Sequence, residues 1–232
     1  MNVDTIVIGA GIAGLSVAEA MLNRGMNVCI VESRYAGYGA TGRSAGIATV
    51  QMIDALDIRL SKKGIDILNI WRRRYNLDGI LNTTGLLSIY RQGSIMNYIR
   101  LLSESGVVYE VMGAREAMDR WPWLKLNIAD DADTEECIYT RDDICMDPLV
   151  FARLFAERLK DMGVKFVNTK ADIPGIKVDA EHVTVKGIGY EHDIVGDALI
   201  LCTGAWTRGL NLRGYTSTPA PTPTPVPVPV TT

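Results

Sequence analysis

Three glycines near the N-terminus have the spacing of a phosphate-binding turn. Gly9, Gly11 and Gly14 lie between the apolar run 3–8 and a stretch with helical periodicity, 12–24. In that context the first glycine permits a tight turn, the second lets the main chain approach a pyrophosphate, and the third lets the helix pack closely on a sheet. The helix N-terminus offers unpaired N–H groups and a positive dipole end to the phosphates. The pattern predicts a dinucleotide site.

An acidic residue follows where a ribose would be recognised. Residues 28–31 form a second apolar strand that ends at Glu32. A carboxylate there can accept hydrogen bonds from both hydroxyls of an adenosine ribose, and it disfavours NADP, whose 2′-phosphate would meet a negative charge. Strand, helix and strand make a βαβ unit, so we expect a parallel sheet with right-handed crossovers.

A second loop of small residues, 36–46, follows this unit, at a place where an NAD-binding domain would not need one. Its sequence, AGYGATGRSAG, resembles the loop after the second strand in the D-amino-acid oxidase and glycine oxidase family of FAD enzymes. Further segments resemble that family at preserved spacing: Gly85-Leu86-Leu87, Asp147-Pro148, 163–173 and Gly204-Ala205-Trp206.

The resemblance implies FAD as the cofactor and, position by position, a set of cofactor contacts. These are Gly9, Gly11, Ile12, Ala13, Gly14, Glu32, Ser33, Thr41, Ala45, Gly46, Ile47, Ile173 and Gly204. Thr41 is either such a contact or an ordinary turn residue, and Trp206 is either a flavin neighbour or part of the core. No metal site is predicted, because the four cysteines show no ligand spacing.

The expected fold is α/β: an FAD/NAD(P)-binding Rossmann-like parallel sheet with a partial α+β substrate domain inserted. The predicted boundaries are 1–82 and 148–213 for the discontinuous FAD-binding domain, 83–147 for the partial substrate domain, and 214–232 for a tail. From Pro219 to Pro229 every second residue of the tail is proline. Such a segment forms an extended polyproline II rod or is disordered.

Hydrophobic periodicity places the individual elements. It predicts helices over 12–24, 54–75, 94–105, 114–120 and 148–162. It predicts strands over 3–8, 28–31, 85–91, 107–111, 164–168, 175–179, 182–187 and 198–202. The acidic segment 130–136 is predicted as a surface loop.

Composition narrows the class of protein. The net charge of -3 gives no basic footprint for nucleic acid. No run approaches the roughly 20 apolar residues needed to span a bilayer. No signal peptide is evident, and unpaired cysteines in apolar strands suit a reducing compartment. We expect a cytoplasmic protein without a membrane span or a nucleic-acid partner.

The resemblance implies an oxidoreductase that acts on amines or amino acids, with hydride transfer from the substrate C–H to flavin N5 and hydrolysis of the imine. It ends near Arg213, and no residue matches the family's substrate-clamping positions, so no catalytic residue is named. A half-built substrate-domain sheet would leave an apolar face and an unpaired edge, which predicts a completing subunit or a homo-oligomer. The alternative is a truncated, non-catalytic fragment that binds FAD or an adenine nucleotide.

Overall fold

The computed structural model describes residues 1–91, 95–126, 135–171, 176–179 and 181–209. The helices are α1 (Ile12–Leu22), α2 (Ala55–Tyr75), α3 (Met96–Glu104), α4 (Ala114–Arg120) and α5 (Pro148–Asp161). The strands of the first half are β1 (Asn2–Ile8), β2 (Val28–Glu32), β3 (Ile47–Ala48), β4 (Leu81–Thr83), β5 (Leu86–Arg91) and β6 (Glu110–Gly113). Those of the second half are β7 (Glu135–Thr140), β8 (Ile144–Met146), β9 (Lys165–Asn168), β10 (Lys177–Val178), β11 (Val183–Val185) and β12 (Ile194–Leu201).

The main sheet has six strands in the order β10-β11-β12-β1-β2-β9. β1 runs parallel to both of its neighbours, with Ile6 opposite Leu199 of β12 and Cys29 of β2, and β9 continues the parallel part beside β2. β10 and β11 extend the sheet in antiparallel fashion. The predicted Rossmann-like α/β fold is therefore confirmed, with an antiparallel extension at one edge.

Side chains of β1 and β2 alternate between two buried clusters, as the period of a strand requires. Val7 and Ile30 pack with Leu15 of α1 and Phe155 of α5, whereas Ile6 belongs to the cluster on the opposite face. Both faces are thus covered, which accounts for the continuous buried apolar runs 6–8 and 28–31.

Polar groups fix the helices that carry this core. The Glu19 carboxylate of α1 is buried, and its Oε1 accepts hydrogen bonds from the Trp71 indole at 3.1 Å and the Tyr75 hydroxyl at 3.2 Å. Asp147 caps α5 by accepting from two main-chain N–H groups, and Pro148 occupies the first turn. The Asp-Pro pair thus begins a helix, as predicted.

Two smaller antiparallel sheets occupy the middle of the chain, with orders β3-β8-β4 and β5-β7-β6. A buried Asp143 joins them: its carboxylate accepts from the Val50 N–H at 3.0 Å and the Thr49 hydroxyl at 2.9 Å, and also from the Thr140 hydroxyl. The sheet β5-β7-β6 falls inside the predicted range 83–147. The division into domains stays a prediction.

Two sequence predictions in this region were wrong in part. Glu135 and Glu136, assigned to an acidic loop, belong to β7, where they pair with Arg91 and Tyr90 of β5. The strand predicted over 107–111 begins at Glu110, because its register is set by pairing with β7. Residues 130–134 of the acidic segment lie outside the described residues.

Within the described ranges, no helix combines the length and the apolar character that crossing a bilayer requires. The tail predicted over 214–232 lies outside those ranges.

Candidate functional site

A cleft of about 760 Å³ opens at the carboxyl ends of β1, β2 and β12. Ligands of open α/β sheets bind at this edge, because the loops that leave adjacent parallel strands separate there. Four stretches of chain contribute its lining residues: 8–13, 31–41, 169–171 and 201–206. Segments far apart in sequence therefore meet in one site.

The predicted contacts divide into three groups. Gly9, Gly11, Ile12, Ala13, Glu32, Ser33, Thr41 and Gly204 line the cleft. Gly14, Ala45, Gly46 and Ile47 are not among its lining residues. Ile173 lies outside the described residues. All thirteen remain predictions as cofactor contacts.

Glu32 is held rigidly by main-chain groups. Its Oε2 accepts from the Ala10 N–H at 2.8 Å, and its Oε1 accepts from the Arg34 N–H at 2.8 Å. Oε1 also accepts from the Ser33 hydroxyl at 3.4 Å, a long hydrogen bond that a ribose hydroxyl can replace, and Oε2 can accept one more. The side chain is therefore fixed at the end of β2 with acceptor capacity left for two ribose hydroxyls.

Thr41 connects the two glycine-rich segments. Its hydroxyl accepts from the N–H of Ile12 at 3.0 Å, one of the helix N-terminal donors that has no partner within the helix. A Cβ at Gly11 would lie 3.1 Å from the Thr41 Oγ1, so the missing side chain admits this hydroxyl. Thr41 thus links the second loop to the first turn of α1, and its role as a cofactor contact stays a prediction.

Gly9 and Cys202 form the floor where β1 and β12 end. Gly9 has φ +107°, and a Cβ there would lie 2.5 Å from the Cys202 carbonyl oxygen, so only glycine suits this position. Burial raises the pKa of the Cys202 thiol. The thiol therefore stays neutral at pH 7 and adds no negative charge beside an anionic ligand.

Gly46 meets a structural requirement of the fold. It has φ +70°, and a Cβ there would collide with the main-chain oxygen of Met146. The Met146 N–H in turn donates to the Gly46 carbonyl at 2.8 Å. The close approach of the Gly46 and Met146 main chains therefore accounts for a glycine at this position, and no ligand is needed to explain it.

Trp206 lies over the glycine-rich loop as part of the cleft wall. A Cβ at Gly39 would come 3.1 Å from the indole ring. Trp206 is 58% exposed, so it does not belong to the core, which was one of its two sequence interpretations.

Sequence reasoning missed several lining residues: Arg34, Tyr38, Gly39, Ala40, Thr169, Lys170, Ala171, Leu201, Cys202 and Thr203. Leu201 to Thr203 carried a usable signal, since they follow an apolar strand at the edge where ligands bind. Arg34 and Lys170 make the charged part of the lining mainly basic, with Glu32 as its acid. That balance suits a ligand with two phosphates and a ribose.

The donor set, the absent Cβ atoms and the fixed acid together fit a dinucleotide. The helix N-terminus and Thr41 can meet the phosphates, and Glu32 can meet the sugar. The cleft extends past Thr41 to Trp206, which leaves space beyond the phosphates for a second ring system.

Comparison with known proteins gives one family match and several shared folds. The family model described as "FAD dependent oxidoreductase" matches residues 4–230. The relative named "Probable oxidoreductase OrdL" from Haemophilus influenzae is 37% identical over 65 residues, 28% of this chain and 15% of its own length.

Among solved structures, L-proline dehydrogenase from P. horikoshii has a TM-score of 0.77 at 23% identity, covering 90% of this chain and 54% of its own. Glycine oxidase from Geobacillus kaustophilus has a TM-score of 0.76 at 18% identity, covering 90% of this chain and 57% of its own. At these identities the likeness establishes the fold. The chain spans about half the length of these structures.

Proposed function

The chain belongs to the family of FAD-dependent oxidoreductases, and on that premise we propose that its cleft binds FAD and that the protein oxidises an amine or amino acid. The observation that carries the proposal is the meeting of Gly9, Gly11, Glu32, Thr41 and Gly204 in one cleft. The names of two proteins that share the fold, L-proline dehydrogenase and glycine oxidase, refer to amino-acid substrates. They support the substrate class.

The chain's own residues divide the binding task. Glu32 accepts from the hydroxyls of the adenosine ribose. The first turn of α1 and the Thr41 hydroxyl donate to the pyrophosphate. Arg34 and Lys170, which line the cleft, supply positive charge on the adenosine side.

FAD, when bound, would supply the redox chemistry as the acceptor of a hydride from the substrate C–H, and the imine product would be hydrolysed by water. The protein must hold the coenzyme in one orientation and keep water out during the transfer. Trp206 beside Gly39 provides an apolar wall for this purpose.

We further propose that the described surface is completed by the other half of the family fold, in the same or a separate polypeptide. Several large apolar side chains are exposed in the first half of the chain: Ile53 at 84%, Leu56 at 54% and Leu60 at 60%. Exposed apolar surface of this kind marks an interaction site. The substrate-clamping groups belong to that other half.

The same proposal includes the predicted two-domain division and a cytoplasmic location. The division is supported by the sheet β5-β7-β6, whose strands pair only with one another among the described strands. The location is supported by buried, free thiols such as Cys29 and Cys137.

An absorption spectrum of the purified protein tests cofactor binding. We expect a flavin band in the visible, or its appearance after FAD is added to the apoprotein, and no comparable binding of NAD or NADP. Anaerobic addition of secondary amines, glycine and D-amino acids then tests turnover, with bleaching of the band expected for one class.

The outcomes separate the two parts of the proposal. A colourless protein that does not take up FAD would contradict cofactor binding. A yellow protein that no amine bleaches would leave a non-catalytic FAD-binding fragment, the alternative reading of the sequence. Bleaching by these 232 residues alone would show that the second half is dispensable.

A further inference from the structure

Arg43 makes several contacts with the glycine-rich loop, although it is not among the residues that line the cleft. Its guanidinium donates to the carbonyl oxygen of Gly39 at 3.1 Å and also to that of Tyr38. The same group lies 4.7 Å from the centre of the Tyr38 ring. Arg43 thus closes the loop over residues 38–43 onto itself.

The residues that Arg43 holds are themselves part of the cleft wall. Tyr38, Gly39, Ala40 and Thr41 are consecutive lining residues. The short 3₁₀ helix Thr41–Arg43 brings the guanidinium back over them. A loop rich in small residues has many accessible conformations, so this closure selects one of them.

The selected conformation sets two contacts across the cleft. One is the hydrogen bond from the Ile12 N–H to the Thr41 hydroxyl, at 3.0 Å. The other is the packing of Gly39 against the Trp206 ring. If the loop moved, the donor at Thr41 would lose its position relative to the first turn of α1.

Both hydrogen bonds come from one guanidinium nitrogen, Nη1, while the central carbon of the group lies over the Tyr38 ring. The ammonium of a lysine would have to reach the same two oxygens without the planar group that packs on the ring. The described contacts of Arg43 are all within the loop.

We propose that Arg43 is a positioning residue for the pyrophosphate-binding loop, acting on FAD through Thr41 and Gly39 without touching the coenzyme. The inference rests on the proposed FAD-binding function. It goes further by assigning the loop's order to one side chain outside the cleft.

The test compares Arg43→Ala and Arg43→Lys with the wild type in titrations of the apoprotein with FAD and with AMP. AMP carries the adenosine and a single phosphate, so it depends on Glu32 and α1 more than on the loop. Arg43→Ala removes the charge-assisted hydrogen bonds that close the loop, so it should weaken FAD binding about 10- to 100-fold. Arg43→Lys keeps the positive charge and should weaken FAD binding about threefold to tenfold. AMP binding should change less than about threefold in both.

Arg24→Ala is the matched control. Arg24 is also exposed and donates to one main-chain oxygen, that of Ala20 at 2.9 Å, but at the far end of α1. This variant should bind both ligands as the wild type does. Thermal denaturation of the apoproteins accompanies each titration, and a general loss of stability would weaken FAD and AMP equally.

Three results would overturn the inference. Wild-type affinity for FAD in Arg43→Ala would show that the loop needs no such closure. Equal losses of FAD and AMP would indicate a general structural role. Failure of the wild type to bind FAD would remove the proposed function and this inference together, a result distinct from the first two.

Discussion

Replacing Glu32 gives the most direct test of how the cleft recognises a nucleotide. Both carboxylate oxygens already accept main-chain N–H groups, those of Ala10 and Arg34, each at 2.8 Å. Because these bonds fix the carboxylate before any ligand binds, little ordering is left to offset the hydrogen bonds that a ribose would form. A hydrogen bond to a charged group contributes about 1.5–3 kcal/mol.

We therefore expect Glu32→Ala to weaken FAD binding by about 100-fold, since about 3 kcal/mol is lost when two such bonds are removed and water compensates in part. Glu32→Gln is informative because glutamine has only one acceptor oxygen. One of the two main-chain N–H groups would then face an amide donor, so apoprotein stability should also fall by about 1–2 kcal/mol.

The assay is a titration of the apoprotein with FAD, monitored by flavin fluorescence. The affinities for AMP and 2′-deoxy-AMP are measured by their competition with FAD in the same assay. Wild type should prefer AMP by about tenfold, the value of one hydrogen bond, and Glu32→Ala should lose that preference. Glu157→Gln, which alters an exposed acid paired with Lys160 on α5, is the control. If Glu32→Ala kept the preference for AMP, the assignment of this carboxylate to the ribose would be refuted.

Three further predictions concern stability. Glu19→Ala should lower the free energy of unfolding by about 2–4 kcal/mol in urea, because the buried donors of Trp71 and Tyr75 lose their acceptor, and Glu19→Gln should cost less. Asp147→Ala should cost about 1 kcal/mol through loss of the N-cap of α5, and Asp147→Ser should restore most of it. Burial raises the pKa of the Cys29 thiol from 9.0 to about 11. The folded state then keeps a proton that the unfolded state loses, so stability should fall as pH rises from 9 towards 11, and Cys29→Ala should flatten that part of the pH profile.

The local sequence pattern was sufficient to predict the βαβ unit within the first fifty residues and the approximate positions of most helices. The strand–glycine–helix–strand unit was predictable because the apolar period of each element matches its burial and the glycines mark the turn between strand and helix. Glu32 was predictable because the position after such a strand faces the cleft in any parallel sheet of this kind. The cap at Asp147 was predictable from the Asp-Pro pair.

The remaining features depend on contacts between distant segments. β7 contains Glu135 and Glu136, whose composition favours a loop, and only pairing with β5 makes them a strand. Gly46 carried the same signal as a ligand-binding glycine, but its missing Cβ is required by Met146, about a hundred positions away in the chain. A glycine in the sequence indicates that a side chain is not tolerated at its position, but it does not indicate which neighbouring group excludes that side chain.

The distribution of lining residues makes coenzyme binding separable from catalysis. The described residues that line the cleft come from strand ends of the main sheet, from the loops that follow them and from the first turn of α1, and none lies between positions 42 and 168. The sheet β5-β7-β6 therefore contributes no lining residue to the cleft. Apolar side chains such as Leu56 and Leu60 remain exposed in the intervening segment. A chain with this arrangement can bind FAD through the strand ends and loops of the main sheet. The groups that would orient an amine would then depend on the partner surface that covers the exposed apolar side chains.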